Sequence, residues 1–162
     1  MSCLFQLENY KIEHVVVVLN EEYDASLPTH TGNIASSLNV APHKKDPLRY
    51  RLTLDVRIDP TEKREKEFFP YRVAVKGRAA FAFKDGCSRE EIDKFMRLNG
   101  AAILYGLLRA QIAQITAQSV HGQFLLPTMN FAEAAKDEPK AKVNKVLKKS
   151  EELPKAEAQK GS

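Results

Sequence analysis

Cysteine is scarce in this chain: Cys3 and Cys87 are the only two among 162 residues. Two are too few for a disulfide framework and are not spaced as zinc ligands, so both are expected to be free thiols in a reducing compartment, the cytoplasm. Long apolar runs are missing as well. The run Val15 to Leu19 falls far short of the roughly 20 residues a helix needs to cross a bilayer. Glu8 and Lys11 interrupt the N-terminal stretch where a secretion signal would be apolar. Neither membrane insertion nor secretion is expected. The four histidines, His14, His30, His43 and His121, stand at no metal-ligand spacing from one another or from a cysteine or carboxylate. The seven glycines form no phosphate loop or dinucleotide-binding pattern, and no serine nucleophile elbow is present. Cys87 lies just ahead of a helix start, where a thiol pKa can fall, but no candidate base stands beside it. No catalytic residue, metal or cofactor is assigned, and enzyme function is disfavoured. Only a site assembled from distant residues would escape this reading.

What is present is the composition of a globular domain, 43% hydrophobic and 28% charged, at a length that suits one core. The net charge of +4 is unevenly placed. Residues 136–162 hold eight lysines against five carboxylates, a surplus of three, so residues 1–135 are nearly neutral. Residues 136–162 also lack aromatics and carry Pro139 and Pro154. They are expected to be a disordered Lys/Glu-rich tail behind a folded domain spanning residues 1–135.

Within the domain, Tyr50 to Ile58 alternates, with Tyr50, Leu52, Leu54, Val56 and Ile58 on one side and Arg51, Thr53, Asp55 and Arg57 on the other. Tyr71 to Phe83 repeats the pattern, with Arg72, Lys76 and Arg78 on its polar side and Gly77 as a candidate bulge. These are two antiparallel neighbours, each with one wet face, joined by a charged connection from Asp59 to Pro70. Phe5 to Leu19 predicts a first long strand, bulged near Asn9, and its Val15 to Val18 run predicts burial on both faces. Residues 20–49 hold Pro28, Gly32, Pro42 and Pro47 and read as a long surface loop of functional interest. Ser88 and Glu91 form a capping box opening a short helix to Arg97. A longer helix then runs from Asn99-Gly100 to about Val120, its apolar stripe being Ile103, Leu104, Leu107, Leu108, Ile112 and Ile115. The fold class is α+β, helices segregated onto one side of an antiparallel sheet.

The segment Asn99 to Phe131 resembles the C-terminal half of the SecB family of protein-export chaperones. That family has a long helix carrying an Ile-Leu-Phe-Pro-Tyr-Ala-Arg-Glu type motif, followed by Arg-Gly and Pro-x-Asn-Phe type motifs. Ile103, Leu104, Tyr105, Arg109, Gly122, Asn130 and Phe131 match here, and Phe5-Gln6-Leu7 is similar to the family's first strand. Gly106 stands in place of the family's proline and Ala110 in place of its glutamate, and two residues rather than one separate Pro127 from Asn130. The resemblance implies a four-stranded antiparallel sheet, a long helix at a dimer-of-dimers interface in a homotetramer, and grooves that hold unfolded polypeptide without ATP. The family docks the motor SecA on an acidic sheet surface. Arg72, Lys76 and Arg78 stand there instead, so chaperone activity is better supported than coupling to SecA.

The leading expectation is therefore an ATP-independent holdase for unfolded client polypeptides, serving export and translocation or one dedicated partner such as an antitoxin. Client-binding candidates are Leu27, Ile34, Leu38 and Val40 on the long loop, with Leu125, Leu126, Met129 and Phe131 after the long helix. Interface candidates are Ile103, Gly106, Leu107, Ala110, Ala113 and Ala117, where small side chains permit close packing. The alternative is a nucleic-acid-binding oligomer using the basic sheet face, disfavoured because that face lacks interleaved aromatics.

Overall fold

The computed structural model describes residues 4–27, 34–59 and 68–137. Nearly all of the expected tail, and most of the connection from Asp59 to Pro70, lie outside the described residues. Four strands, β1 (Phe5–Leu19), β2 (Ala35–Pro42), β3 (Arg49–Ile58) and β4 (Tyr71–Phe83), precede the helices α1 (Arg89–Phe95), α2 (Ala101–Thr116) and α3 (Phe131–Asp137). The strands form one antiparallel sheet in the order β1-β4-β3-β2, so β1 and β2 are its two edges.

The alternation in β3 and β4 sorts side chains as expected. Leu52, Leu54, Val56, Tyr71, Val73, Val75 and Phe81 are buried beneath the helices, while Arg51, Arg57, Arg72 and Arg78 face outward and are exposed. Each fully buried large apolar side chain contributes about 1.5–3 kcal/mol, so these two central strands anchor the domain. β2 corrects the reading of residues 20–49 as loop throughout. Ala35 to Pro42 pair residue by residue with Arg57 to Tyr50, placing Leu38 opposite Leu54 and Val40 opposite Leu52.

β1 carries two bulges. Register shifts between Leu7 and Asn9 and between Ile12 and His14 leave Glu8 and Glu13 as the extra residues. The first is the bulge expected near Asn9. The second lies across from Gly77, so the irregularity belongs to β1 rather than to β4. Gly77 has a different purpose, because a Cβ built there would stand 2.7 Å from Leu108 Cδ2 and 3.2 Å from Leu104 Cδ1. The glycine lets α2 settle onto β4. Leu104 and Leu108 are fully buried and have little room to yield. Gly77→Ala is expected to cost about 1–3 kcal/mol by overpacking, read as a lower urea midpoint at unchanged denaturant slope. An unchanged midpoint would mean that α2 rides higher above the sheet.

The burial of Val15 to Val18 on both faces is also corrected. Val15 and Val17 are half-buried, whereas Val16 and Val18 are 39% and 49% exposed, because no element among the described residues covers the outer face of the edge strand β1.

The capping box forms as expected: Ser88 Oγ accepts from Glu91 N, and Glu91 Oε2 accepts from Ser88 N at 2.8 Å. α1 and α2 are one continuous rod through a π-helical turn at Met96–Gly100. The rod stops at Thr116, short of Val120. Thr116 Oγ1 donates back to the Ile112 carbonyl and accepts from Phe124 N at 2.8 Å, so the returning chain takes over the end of the helix. Gly122, at φ 74°, makes the reversal. The returning segment is tied down by Tyr71, whose hydroxyl donates to the Gly122 carbonyl at 2.9 Å, and by Tyr105, whose hydroxyl donates to the Pro127 carbonyl. Among the described residues no helix is long and apolar enough to cross a membrane.

Candidate functional site

The expected client-binding residues divide into three groups. Ile34, Leu38 and Val40 do not lie on an open loop. They precede or belong to β2, half-buried against the core, and Leu27 is half-buried ahead of them. Since β2 is an edge strand, this row borders backbone groups that no strand among the described residues pairs on the outer side. Leu125 is 52% exposed and Met129 packs partly against the core. Leu126 and Phe131 are corrected: Leu126 is fully buried and Phe131 nearly so, the latter edge-on to the Tyr105 ring at 5.6 Å. Both belong to the core, Leu126 from the segment returning past α2 and Phe131 as the first residue of α3 against Tyr105, and neither is open to a client in the folded chain.

On α2 the outward face is Ile103, Gly106, Ala110 and Ala117, all exposed, with Leu107 half-buried beside them. Ala113 is corrected, since it is buried within the chain and cannot form part of an open interface. No atom lies within 4 Å of a Cβ built on Gly106. Nothing among the described residues therefore requires glycine at that point of a helix.

The exposed apolar side chains missed in the sequence collect on β1. Tyr10, Val16, Val18 and Leu19 are 39–49% exposed, and Ile115 adds to them on α2. The signal was present as the four-valine run. It was misread because a strand at a sheet edge keeps apolar residues for a surface that lies outside the chain.

The outer face of the sheet is less basic than its sequence suggests. Glu8, raised by the first bulge of β1, pairs with Arg49 at 3.0 Å, and Glu13, raised by the second, pairs with Lys76 at 3.8 Å and with Arg78. Arg57 pairs with Asp55 at 3.1 Å and Arg72 with Asp59 at 3.4 Å. Exposed pairs of this kind add little stability, but they neutralise most of the field that would steer a polyanion across the whole face. Cys87 also departs from expectation, being disulfide-bonded rather than a free thiol. Too few cysteines for a framework still suffice for one bridge; the other cysteine, Cys3, lies outside the described residues. Among the described residues no three His, Cys, Asp or Glu side chains gather as metal ligands.

One titratable group is strongly perturbed. Burial pushes the Tyr105 phenol up to about 12, against a smaller opposing effect of the Arg109 guanidinium. The folded state thus disfavours the phenolate, and its stability relative to the unfolded chain is intact below the ordinary value of 10.0 and falls as pH rises from 10 towards 12. Absorbance titration should show one tyrosine ionising only near pH 12, together with loss of folded signal. Tyr105→Phe should remove this alkaline step, and persistence of the step in that variant would assign it elsewhere.

No family model matches the chain. It is 28% identical over 136 residues to an uncharacterized protein of Methanocaldococcus jannaschii, the match covering 81% of this chain and 82% of that relative. Among solved structures, the Mycobacterium tuberculosis Rv1957 SecB-like chaperone, in complex with a ChAD peptide from the HigA1 antitoxin, aligns at a TM-score of 0.54. That alignment has 11% identity and covers 78% of this chain and 88% of that one. A protein of unknown function from Streptococcus agalactiae aligns at a TM-score of 0.49 with 12% identity, over 79% of this chain and 100% of that one. The fold is SecB-like: a four-stranded antiparallel sheet with one long helix packed on it.

Proposed function

We propose that this chain is an ATP-independent holdase that captures unfolded polypeptide and works as a homo-oligomer. The observation that carries the reading is the apolar surface left exposed on the edge strand β1 and on α2, together with the half-buried apolar row along the other edge strand, β2. Beside β2, Ile34, Leu38 and Val40 offer apolar contacts next to unpaired backbone groups, the arrangement that lets an extended peptide add as a further strand. Leu125 and Met129 extend the same chemistry on the returning segment, and thioether and aliphatic side chains adapt to varied clients. The solved neighbour of this fold holds an antitoxin peptide, which supports polypeptide as the ligand class and a dedicated partner such as an antitoxin as the client. Coupling to SecA gains no support, because the outer face carries ion-paired arginines and lysines rather than an acidic surface.

The outward face of α2 and the exposed apolar residues along the β1 edge serve assembly in this reading, as a dimer of dimers. Gly106 is the specific support. A glycine at an exposed helix position costs about 0.5–1 kcal/mol relative to alanine; no described atom explains it, and close approach by another copy would give it a purpose.

The test is light scattering of a chemically unfolded client with increasing amounts of the purified chain, without ATP, at low and high salt. Suppression that saturates at a fixed subunit ratio and survives salt is expected, because apolar contacts are weakly screened. Leu125→Glu and Val40→Asp should weaken it. Absence of suppression with unrelated clients and with an aggregation-prone antitoxin alike would end the holdase reading.

A further inference from the structure

We propose a second binding site on the opposite side of the sheet, a cationic trough that takes an acidic, extended segment of a partner polypeptide. At the end of the sheet where β2 turns into β3, a concavity of about 790 Å³ opens on the outer face, a volume within the range of ligand-binding clefts. Six cationic side chains line it, Lys11 from β1, Arg78 from β4, Arg49 and Arg51 from β3, and Lys44 and Lys45 from the β2–β3 turn, with Glu8 the one carboxylate in the lining.

The bookkeeping of pairs separates this end from the rest of the face. Arg49 is held by Glu8 and Asp46, and Arg78 by Glu13. Lys11, Lys44, Lys45 and Arg51 are exposed and have no carboxylate within 4.0 Å among the described residues. Four uncompensated cations therefore surround one concavity, while the cations farther along, Arg57, Arg72 and Lys76, are each matched. The turn that presents the lysines is built rather than loose. His43 N donates to the Arg49 carbonyl at 2.8 Å, Leu48 N to Asp46 Oδ1 at 3.0 Å and Lys45 N to His43 Nδ1 at 3.3 Å. Preorganised donors lose less on binding than free side chains do.

The geometry favours a peptide over a nucleic acid. Arg49 and Arg51 project from the same side of β3 two residues apart, about 6.6–6.8 Å along the strand, the repeat at which an extended peptide presents alternate side chains. Guanidinium groups accept carboxylates through paired hydrogen bonds. Tyr50 shares the helix-facing side of β3 with Leu52, and its ring is engaged edge-on with Phe83 at 5.7 Å, so the lining presents no phenyl or phenol ring on which bases could stack. Glu8 within the trough opposes a continuous polyphosphate but is tolerated by a peptide that alternates acidic and neutral residues. The site is independent of the apolar edges, so a client and an acidic partner can be held at once.

The experiment uses the full chain and a fluorescein-labelled dodecapeptide of alternating glutamate and alanine, followed by fluorescence anisotropy. Saturable binding of one peptide per subunit is expected, weakening steeply with salt. The Lys44→Glu/Lys45→Glu double variant and Arg51→Gln should each weaken it at least about tenfold, the latter being a mild exposed change that leaves the fold intact by circular dichroism. Lys76→Gln, outside the trough, and replacement of the lysines at 140, 142, 145, 148 and 149 by glutamine should leave it unchanged. Absent binding, insensitivity to the trough variants, or loss with the C-terminal variants alone would overturn the site. Tighter capture of a twelve-nucleotide oligothymidine through the same residues would overturn its assignment to peptide.

Discussion

Phe81→Ala is expected to lower the free energy of unfolding by about 3–5 kcal/mol, a large part of the 5–15 kcal/mol typical of a domain. Phe81 is fully buried near the middle of the strand order, on β4 between β1 and β3. Its ring centre lies 5.7 Å from that of Phe5, and its edge lies 3.5 Å from the Cβ position of Gly100 in the π-helical turn. One side chain therefore joins the edge strand, the sheet and the helical rod. Truncation leaves a cavity bounded by three elements that cannot collapse together, since β4 is hydrogen-bonded on both sides. Urea unfolding followed by circular dichroism would give the loss directly, with an unchanged slope. A cost below about 1.5 kcal/mol, the range of volume-conserving core exchanges, would contradict this picture of the junction.

On the proposed assembly through α2, Gly106→Arg is expected to raise the dissociation constant by about 100-fold or more, roughly 2.7 kcal/mol. No described atom lies within 4 Å of a Cβ at this exposed position, so the isolated subunit should fold normally. Gly106→Ala separates the two effects further. It should stabilise the subunit by about 0.5–1 kcal/mol through helix propensity, yet weaken association if backbones meet there. Sedimentation velocity across a concentration series reads both variants. Retention of the native assembly by Gly106→Arg would remove α2 from the interface.

Why some elements were legible and others were not follows from what each side chain faces. β3 and β4 lie inside the sheet under helices, so period-two alternation marked both strands almost to the residue. The capping box located α1, because its chemistry is local. β2 was invisible in Ala-Ser-Ser-Leu-Asn-Val-Ala-Pro, a segment with few strand-forming residues that is held mainly by its partner β3. The end of α2 was missed because it depends on Thr116 meeting Phe124, eight residues away. Leu125 and Leu126 are adjacent and chemically identical, yet one is open and the other buried. Nothing short of their tertiary surroundings distinguishes them, and the same holds for Phe131 and Ala113. The apolar run of β1 and the cations of the outer face were visible as residue types; the bulged glutamates that answer those cations were not.

The strand order has a consequence for how the chain is made. β1 is the first of the four strands to be synthesised but hydrogen-bonds only to β4, Leu19 lying opposite Tyr71 and Phe5 opposite Phe83. β2 and β3 can close as a hairpin as soon as both emerge. β1 must wait until translation reaches Phe83, an interval of roughly 3–13 s at about 5–20 residues per second. Throughout that wait its valines have no partner within the nascent chain, and the long sequence separation of the pairing makes its closure the slow step of folding.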